Sequence, residues 1–419
     1  VQALEWVMKI AQECERLYQN EEGLKWITRG LSILQKLKGR LPLHEHLSQE
    51  FELLFLQVQF QLHLGNLPQA EESLSKLADI ATQLKDNHHQ ARSCCLHAQY
   101  SQWLGKYTES LHYAQQALEV YQRAGTRAEQ ASGLYEVGLA YFYLGDYHRA
   151  IQYYEQARII FRNTKDYRQL IDVLDSLGNA HTKLGEGRKA LEYYRQALDL
   201  CKQINDIKSQ SDLLNNRGVA LRTLGYYQEA LEQFREACEI DKKIGNRLGL
   251  AFSLSNLGQV YRLLGIHDQA LTYYQQAHEL FRILESPAEQ GIMERLLGGI
   301  YRERGEVTVA RAYLGTALQC AQRSSARAEE AECLRELGEL AYVEGEYDQA
   351  LDWIQRALRI GQELGLALTM ARCWQALSKI YFDRHNYQNA LQVSNELFKL
   401  LEEHEWAGEL SLIHISEPT

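Results

Sequence analysis

Amide and guanidinium side chains recur at a spacing of 40 residues along this chain. Such groups can bind an extended peptide, because asparagine and glutamine pair with both the N–H and the C=O of a backbone. Arginine can add a bidentate contact to a carboxylate. Residues three or four apart share one face of a helix, so neighbouring sets should point together. The candidate partner-binding residues are Asn179, Lys183, Asn216, Arg222, Asn256, Gln259, Arg262, Arg295, Arg302 and Arg335.

These polar positions have a second explanation as an ordinary solvated helix surface. Exposed helices are generally rich in arginine, asparagine and glutamine, and duplicated repeats copy such residues without any ligand being involved. Acidic residues occur among them, so we expect a surface of mixed charge. The residues alone leave both interpretations open. The acidic positions are Asp172, Asp175, Asp212, Glu336 and Glu339.

Motifs of catalysis and metal binding are absent from the sequence. There is no phosphate-binding GxxxxGK[ST], no HExxH, no GxSxG and no recurring Cys/His set. His44 and His46 are two apart, and His88 and His89 are adjacent, so neither pair shares a helix face. The eight cysteines lack CxxC spacing, which indicates buried thiols in a reducing compartment. We therefore predict no enzyme, no catalytic residue, no metal and no cofactor.

Composition narrows the possible partners further. The net charge of −10 and the pI near 5.8 disfavour direct nucleic-acid binding, which usually requires a basic face. No apolar run reaches the roughly 18 residues that span a membrane, and no signal peptide is visible. We therefore expect a cytoplasmic location without membrane contact. Four prolines among 419 residues favour an all-helical chain.

Glycine and alanine mark an internal repeat of 40 residues. Two glycine sets and two alanine sets keep this spacing through most of the chain without an insertion. Self-similarity at a fixed period is the signature of a repeat architecture. One glycine set is Gly105, Gly145, Gly185, Gly225, Gly265, Gly305 and Gly345, and the other is Gly138, Gly178, Gly218, Gly258, Gly298 and Gly338.

One repeat, 131–170, predicts two amphipathic helices joined by a tight turn. Gly145 falls where the first helix should end, because glycine readily adopts a positive φ there. Gly138 lies inside the first helix, where glycine costs about 1 kcal/mol relative to alanine. Its recurrence indicates close packing against the second helix, whose Ala150 offers a small surface. The recurring Tyr-Tyr pairs, including Tyr154, are interpreted as core packing.

The pattern L-G-x-x-Y…L-G-x-Y-x-x-A…Y-Y-x-x-A resembles the tetratricopeptide repeat in its 40-residue form, over about 50–404. Similar repeats occur in kinesin light chain and in bacterial signalling ATPases and transcription regulators. The resemblance implies an all-α, right-handed α-solenoid of about ten antiparallel helix-turn-helix repeats. In that fold the first helix of each pair lines a concave groove. The first and last repeats depart from the pattern, as terminal repeats often do.

The ends of the chain suggest how it is organised. We expect a degenerate first repeat with an extended linker at 1–49, a regular array at 50–370 and a degenerate last repeat at 371–406. A non-native or disordered tail is expected at 407–419. Leu410–Thr419 resembles the translation of a transposon-derived sequencing adapter. Because the chain also begins with a residue other than methionine, we interpret it as an interior fragment of a longer protein.

Two functional hypotheses follow from the resemblance. The first is a non-catalytic scaffold that binds a protein or peptide segment, possibly acidic, within a larger signalling protein. The alternative is the sensor arm of a bacterial signalling ATPase or transcription regulator, with a small-molecule or peptide inducer. Replacing Arg222, Arg262 and Arg302 with alanine should weaken binding and leave helicity and melting unchanged. The sequence does not decide the oligomeric state.

Overall fold

The chain is described by a computed structural model that covers residues 2–16, 20–284, 286–324 and 326–403. In these ranges it folds into twenty α-helices and no β-strand, which confirms the predicted all-α solenoid class. No described helix combines the length and apolarity that crossing a membrane requires. The predicted tail at 407–419, with its adapter-like segment, lies outside the described residues.

The helices fall into two compact units, Val1–Leu224 and Gly225–Thr419. The first unit contains five consecutive helix pairs followed by the first helix of a sixth. Its helices are α1 (Gln2–Arg16), α2 (Asn20–Lys36), α3 (Leu43–His63), α4 (Leu67–Leu84), α5 (Asn87–Trp103), α6 (Tyr107–Ala124), α7 (Arg127–Tyr143), α8 (Tyr147–Thr164), α9 (Tyr167–Lys183), α10 (Gly187–Ile204) and α11 (Ile207–Thr223).

The second unit begins with the second helix of the sixth pair and continues with four complete pairs. Its helices are α12 (Tyr227–Ile244), α13 (Arg247–Leu263), α14 (His267–Ile283), α15 (Pro287–Glu303), α16 (Val307–Arg323), α17 (Arg327–Val343), α18 (Tyr347–Leu364), α19 (Ala367–Asp383) and α20 (Tyr387–Glu403). Odd-numbered helices are the first helices of their pairs and even-numbered helices are the second.

In most of the described helix pairs the turn contains a glycine just after the first helix, whereas His385 takes this place between α19 and α20. Gly145 has a φ of +82°, in the left-handed region that costs residues with a Cβ atom free energy. The second helix then starts two residues later. Asp146 caps it, because its side chain accepts a hydrogen bond from the backbone N–H of Arg149. The structure thereby confirms the predicted function of this glycine.

The glycines inside the first helices permit close approach of the second helices. A Cβ atom at Gly178 would lie 2.5 Å from the ring of Tyr194, and one at Gly258 would lie 2.6 Å from Tyr274. Tyr154, Tyr194 and Tyr274 are fully buried. The predicted packing explanation for both the glycine set and the tyrosine pairs is therefore confirmed.

Near the start of the chain, the irregular repeat spacing corresponds to a longer loop and one additional helical turn. α2 ends at Lys36 and α3 begins at Leu43, whereas later pairs are separated by about two residues. α3 has 21 residues, and the later first helices have 17. The additional residues therefore lie in this loop and in α3.

First helices contact one another within each unit. α3, α5, α7, α9 and α11 make such contacts in the first unit, and α15, α17 and α19 make them in the second. Among the described residues, second helices contact their neighbours in sequence and not one another to a comparable degree. The first helices therefore form one layer in each unit, and their polar side chains lie beside those of the adjacent repeat.

Candidate functional site

All ten predicted partner-binding residues lie on first helices, from α9 to α17. Their exposure differs. Lys183 is exposed, Arg335 is buried, and the other eight are half-buried. Residues 40 apart occupy the same position of the repeat, so this layer presents the same set of positions in each repeat. The repeats differ in which neighbouring side chain each of these residues contacts.

In the first unit, an amide–carboxylate network joins α9 to α11. The side-chain amide of Asn216 donates to both carboxylate oxygens of Asp175, at 2.9 and 3.2 Å. Asn179 donates to the same carboxylate at 3.2 Å. The Tyr194 hydroxyl donates to the side-chain oxygen of Asn179 at 2.8 Å. Two of the predicted residues therefore orient Asp175 within the protein.

Similar bonds join the preceding first helices. The Gln99 amide on α5 donates to Oε1 of Glu136 on α7 at 2.7 Å. The hydroxyl groups of Tyr135 on α7 and Ser176 on α9 are 3.1 Å apart. Polar contacts thus run from α5 to α11 across successive repeats.

Three acidic residues of this surface act electrostatically on Tyr135 or Tyr154, and we call Glu136, Asp172 and Asp175 the carboxyl cluster. Burial raises the pKa of Glu136 to about 7. Burial, with repulsion from Asp175, raises the pKa of Asp172 to about 7. Burial also raises the pKa of Asp175 to about 6, although the hydrogen bond from Asn216 opposes the change. The carboxyl cluster therefore titrates near neutral pH.

In the second unit, the predicted arginines form ion pairs with glutamates. Arg262 contacts Glu303 through Nε at 3.0 Å and through Nη2 at 2.5 Å. Arg295 pairs with Glu329, and both side chains are largely shielded from solvent. These two arginines use the bidentate geometry that the sequence suggested, but with a carboxylate of the adjacent repeat.

Arg302 and Arg335 converge on Glu336. Arg302 lies 3.0 Å from Glu336 and 3.0 Å from Glu339. Nη2 of Arg335 lies 2.8 Å from Glu336 and 3.0 Å from Glu332. Burial would raise the pKa of Glu336, but the guanidinium groups of Arg335 and Arg302 hold it well below its usual range. We call this set the arginine–glutamate cluster: Arg262, Arg295, Arg302, Arg335, Glu303, Glu329, Glu332, Glu336 and Glu339.

These ion pairs restrict how the arginines could bind a carboxylate of a partner. A partner carboxylate would have to displace an internal glutamate from Arg262 or Arg302, because each already contacts one. Replacing Arg302 with alanine would also leave Glu336, which is 3% exposed, with one guanidinium fewer. The expectation that these substitutions leave melting unchanged is therefore not supported by the contacts of Arg262 and Arg302.

Sequence reasoning missed Glu136 as a candidate. The available signal was its position, because Ser176 and Asn216 occupy the equivalent place in the next two repeats. Glu136 places a negative charge beside this run of neutral residues, and among the equivalent positions from 96 to 376 the other charged residue is Glu336. The described residues contain no group of three or more histidine, cysteine or acidic side chains arranged to hold a metal ion.

The repeats match the family model described as "Tetratricopeptide repeat" over residues 94–163, 129–203, 209–283 and 289–363. These matches extend over more than half of the chain. The chain belongs to the tetratricopeptide repeat family. No protein in a search of curated sequences matches it.

Solved structures with a similar fold include two Rap proteins and a signal transduction ATPase. A Rap protein complexed with Competence and Sporulation Factor has a TM-score of 0.61 at 16% identity, covering 87% of this chain and 99% of its own. The Rap conjugation gene regulator of plasmid pLS20, in complex with the Phr* peptide, has a TM-score of 0.55 at 16% identity, covering 82% and 96%. The signal transduction ATPase PH0952 from Pyrococcus horikoshii, with a tetratricopeptide repeat sensor, has a TM-score of 0.58 at 15% identity, covering 85% and 53%. At these identities the likeness concerns the fold.

Proposed function

We propose that this chain is a non-catalytic scaffold that binds an extended segment of a partner protein, or a peptide, along the first helices of its units. We further propose that it acts within a larger signalling protein. The observation that carries the proposal is the layer of half-buried amide and carboxylate side chains on the first helices within each unit. Asn179, Asn216, Asn256 and Gln259 belong to this layer. Such groups can pair with a peptide backbone.

The fold neighbours support this proposal. Two of them are named as complexes, one with Competence and Sporulation Factor and one with the Phr* peptide. A repeat scaffold presents a long surface because each repeat adds one helix to the same layer. The arginines of the arginine–glutamate cluster are paired internally, so recognition there would depend on hydrogen bonds more than on free charge.

A second function is a sensor arm that responds to a small-molecule or peptide inducer. The fold likeness to the repeat sensor of a signal transduction ATPase favours it. This alternative differs from the first in the size of the ligand. A small molecule would contact one or two first helices, whereas an extended segment would contact several.

A peptide selection combined with site-specific crosslinking tests the scaffold proposal. Random peptides of about twelve residues, long enough when extended to cross about four first helices, are displayed and selected on the full chain. A photo-crosslinking amino acid then replaces Val219, which is half-buried on α11, or Gln152, which is exposed on the second helix α8. We expect enriched peptides to crosslink at position 219 and not at position 152.

Position 152, on a second helix, is the control for position 219 on a first helix. Crosslinking of equal yield at positions 219 and 152 would contradict a binding surface on the first helices. Failure to enrich any peptide would contradict the scaffold function and leave the small-molecule alternative. Circular dichroism of both variants should equal that of the unmodified chain, because neither position is fully buried.

A further inference from the structure

Glu136 and Glu336 occupy the same position of repeats that lie five repeats apart. Both side chains are nearly buried, with 7% and 3% exposure. Glu336 is neutralised by Arg302 and Arg335. Among the described residues, by contrast, no ion pair includes Glu136, and its one hydrogen bond comes from the neutral amide of Gln99. The same buried carboxylate position therefore has its cations in one repeat and lacks them in the other.

The arginines of Glu336 have identifiable counterparts near Glu136. Arg335 corresponds to Tyr135, and Arg302 corresponds to Gln102 on α5. Neither counterpart carries a charge. Oε2 of Glu136 has no hydrogen-bond partner within the described part of the chain. A buried carboxylate oxygen without a partner is unfavourable, and it indicates a group that a ligand could satisfy.

Tyr154 supplies a second unsatisfied polar atom beside the same cluster. The side chain is fully buried, and its hydroxyl lies near Ser176 but outside hydrogen-bond geometry. In the next repeat, the equivalent Tyr194 donates to Asn179. Leu139 stands at the position equivalent to Asn179 and cannot accept a hydrogen bond.

The surroundings of the carboxyl cluster fit a cation. The rings of Tyr135 and Tyr154 have centroids 5.7 Å apart, and the faces of aromatic rings attract ammonium and guanidinium groups. Asp172 and Asp175 are half-buried, so an external group can reach them. The charges of Arg168 and Lys208 oppose the rise in the pKa of Asp172, and Asp175 accepts hydrogen bonds from Asn216 and Asn179, so Glu136 is the member of the cluster without a nearby cation. Of the nearby basic groups, Lys208 already contacts Asp212 at 3.2 Å.

We propose that the carboxyl cluster binds a positively charged side chain, arginine or lysine, of the partner segment. This inference rests on the scaffold function proposed above and specifies its chemistry in the first unit. The incoming cation takes the place that Arg302 and Arg335 fill in the second unit. The partner segment therefore carries a positive charge where it meets the carboxyl cluster. The arginines in the sequence had instead suggested an acidic partner. Burial raises the pKa of Glu136 and of Asp172 to about 7, so a bound cation would favour their ionised forms.

Two matched peptide pools test the proposal on the full chain. Each pool holds fluorescein-labelled, acetylated and amidated peptides of about twelve residues, randomised except at one central position. That position is arginine or lysine in the cationic pool and citrulline or norleucine in the neutral pool. We expect the cationic pool to bind at least about tenfold more tightly by fluorescence anisotropy, the effect of one charge-assisted hydrogen bond.

Variants locate the effect at the cluster. Glu136→Gln with Asp172→Asn should remove the preference for the cationic pool. Gln102→Arg should also weaken cationic binding, because it places an internal guanidinium where Arg302 stands relative to Glu336. The control for net charge is Glu119→Gln with Asp199→Asn, since both residues are exposed on second helices of the same unit. The control variant should keep the full preference.

The outcomes separate this inference from the function on which it rests. Equal binding of the two pools would overturn the cation site and leave the scaffold function standing. Binding of neither pool would overturn both. Spermidine is titrated as a third ligand, and if it bound as tightly as the cationic pool, a free polyamine would be the occupant instead of a peptide side chain. A preference that survived in the Glu136/Asp172 variant would also overturn the site.

Discussion

At the scale of single residues, Glu136 and Glu336 illustrate how neighbours decide the behaviour of a buried carboxylate. Burial raises the pKa of Glu136 to about 7, and no cation opposes it. The pKa of Glu336 lies well below its usual range, because Arg335 and Arg302 outweigh the same burial. Glu136 therefore destabilises the folded state at neutral pH, whereas Glu336 is held in its ionised form.

The raised pKa of Glu136 predicts a stability that falls as the pH rises. The folded state holds its proton more tightly than the unfolded state, in which the pKa is near 4.5. The stabilising contribution is therefore complete below pH 4.5 and is lost as the pH rises through about 7. Glu136→Gln should remove this loss and stabilise the protein at pH 8 by about 2–3 kcal/mol relative to its effect at pH 5.

Thermal melting at the two pH values measures this effect. The difference in Tm between Glu136→Gln and the unmodified chain should be larger at pH 8 than at pH 5. Gln99 can donate to the new amide oxygen as it does to Glu136, so the fold should be kept. Glu119→Gln, at an exposed position, is the control and should shift Tm equally at both values. The same Tm difference at pH 5 and pH 8 for Glu136→Gln would refute the assignment.

At the scale of elements, the distance between the two helices of a pair depends on one glycine. A Cβ atom at Gly298 on α15 would lie 2.8 Å from Leu314 and 3.3 Å from the carbonyl oxygen of Ala310. The backbone atom cannot move without shifting α16. Within the same unit, Gly315 lies inside α16 with open space around its Cα atom.

This contrast predicts opposite effects of the same substitution. Gly298→Ala should destabilise the protein by about 1–3 kcal/mol, because the added methyl group overpacks the helix interface. Gly315→Ala should stabilise it by about 0.5–1 kcal/mol, because alanine restricts the unfolded chain more than glycine does. Tm measured by circular dichroism reports both. A lower Tm for Gly315→Ala, or an unchanged one for Gly298→Ala, would contradict the packing argument.

At the scale of the whole molecule, the two units differ in how their first helices are joined. From α5 to α11 of the first unit, side-chain amides and hydroxyl groups make most of these contacts, as between Asn216 and Asp175, although Arg92 on α5 also pairs with Glu52 on α3. Ion pairs join α15 to α17 in the second, as in the contact between Arg302 and Glu336. In a repeat protein, stability comes mainly from such contacts between adjacent repeats. Removing one such contact should therefore destabilise mainly the unit that contains it.

Arg335→Met tests this locality. Removing Arg335, which is 5% exposed, leaves Glu336 less well neutralised and should cost about 3–5 kcal/mol. Hydrogen exchange should accelerate in α15, α17 and α19, while α5, α7 and α9 keep their protection. Arg282→Met is the control, because Arg282 is exposed and pairs within its own helix, and it should change little. Equal acceleration in the helices of both units would contradict local stabilisation.

The repeat period, the helix pairs and their turns could all be read from the amino-acid order, because each depends on residues close together in the chain. Gly145 and Gly178 mark a turn and a close approach wherever the period repeats. The partners of the polar residues could not be read in this way, since Arg302 and Glu336 are distant in sequence and meet only when α15 packs beside α17. Packing also gives two glutamates at the same repeat position different surroundings, because Glu136 contacts Gln99 and Glu336 contacts two arginines. Local periodicity determines the scaffold, and the contacts between repeats decide which of its charges a ligand can reach.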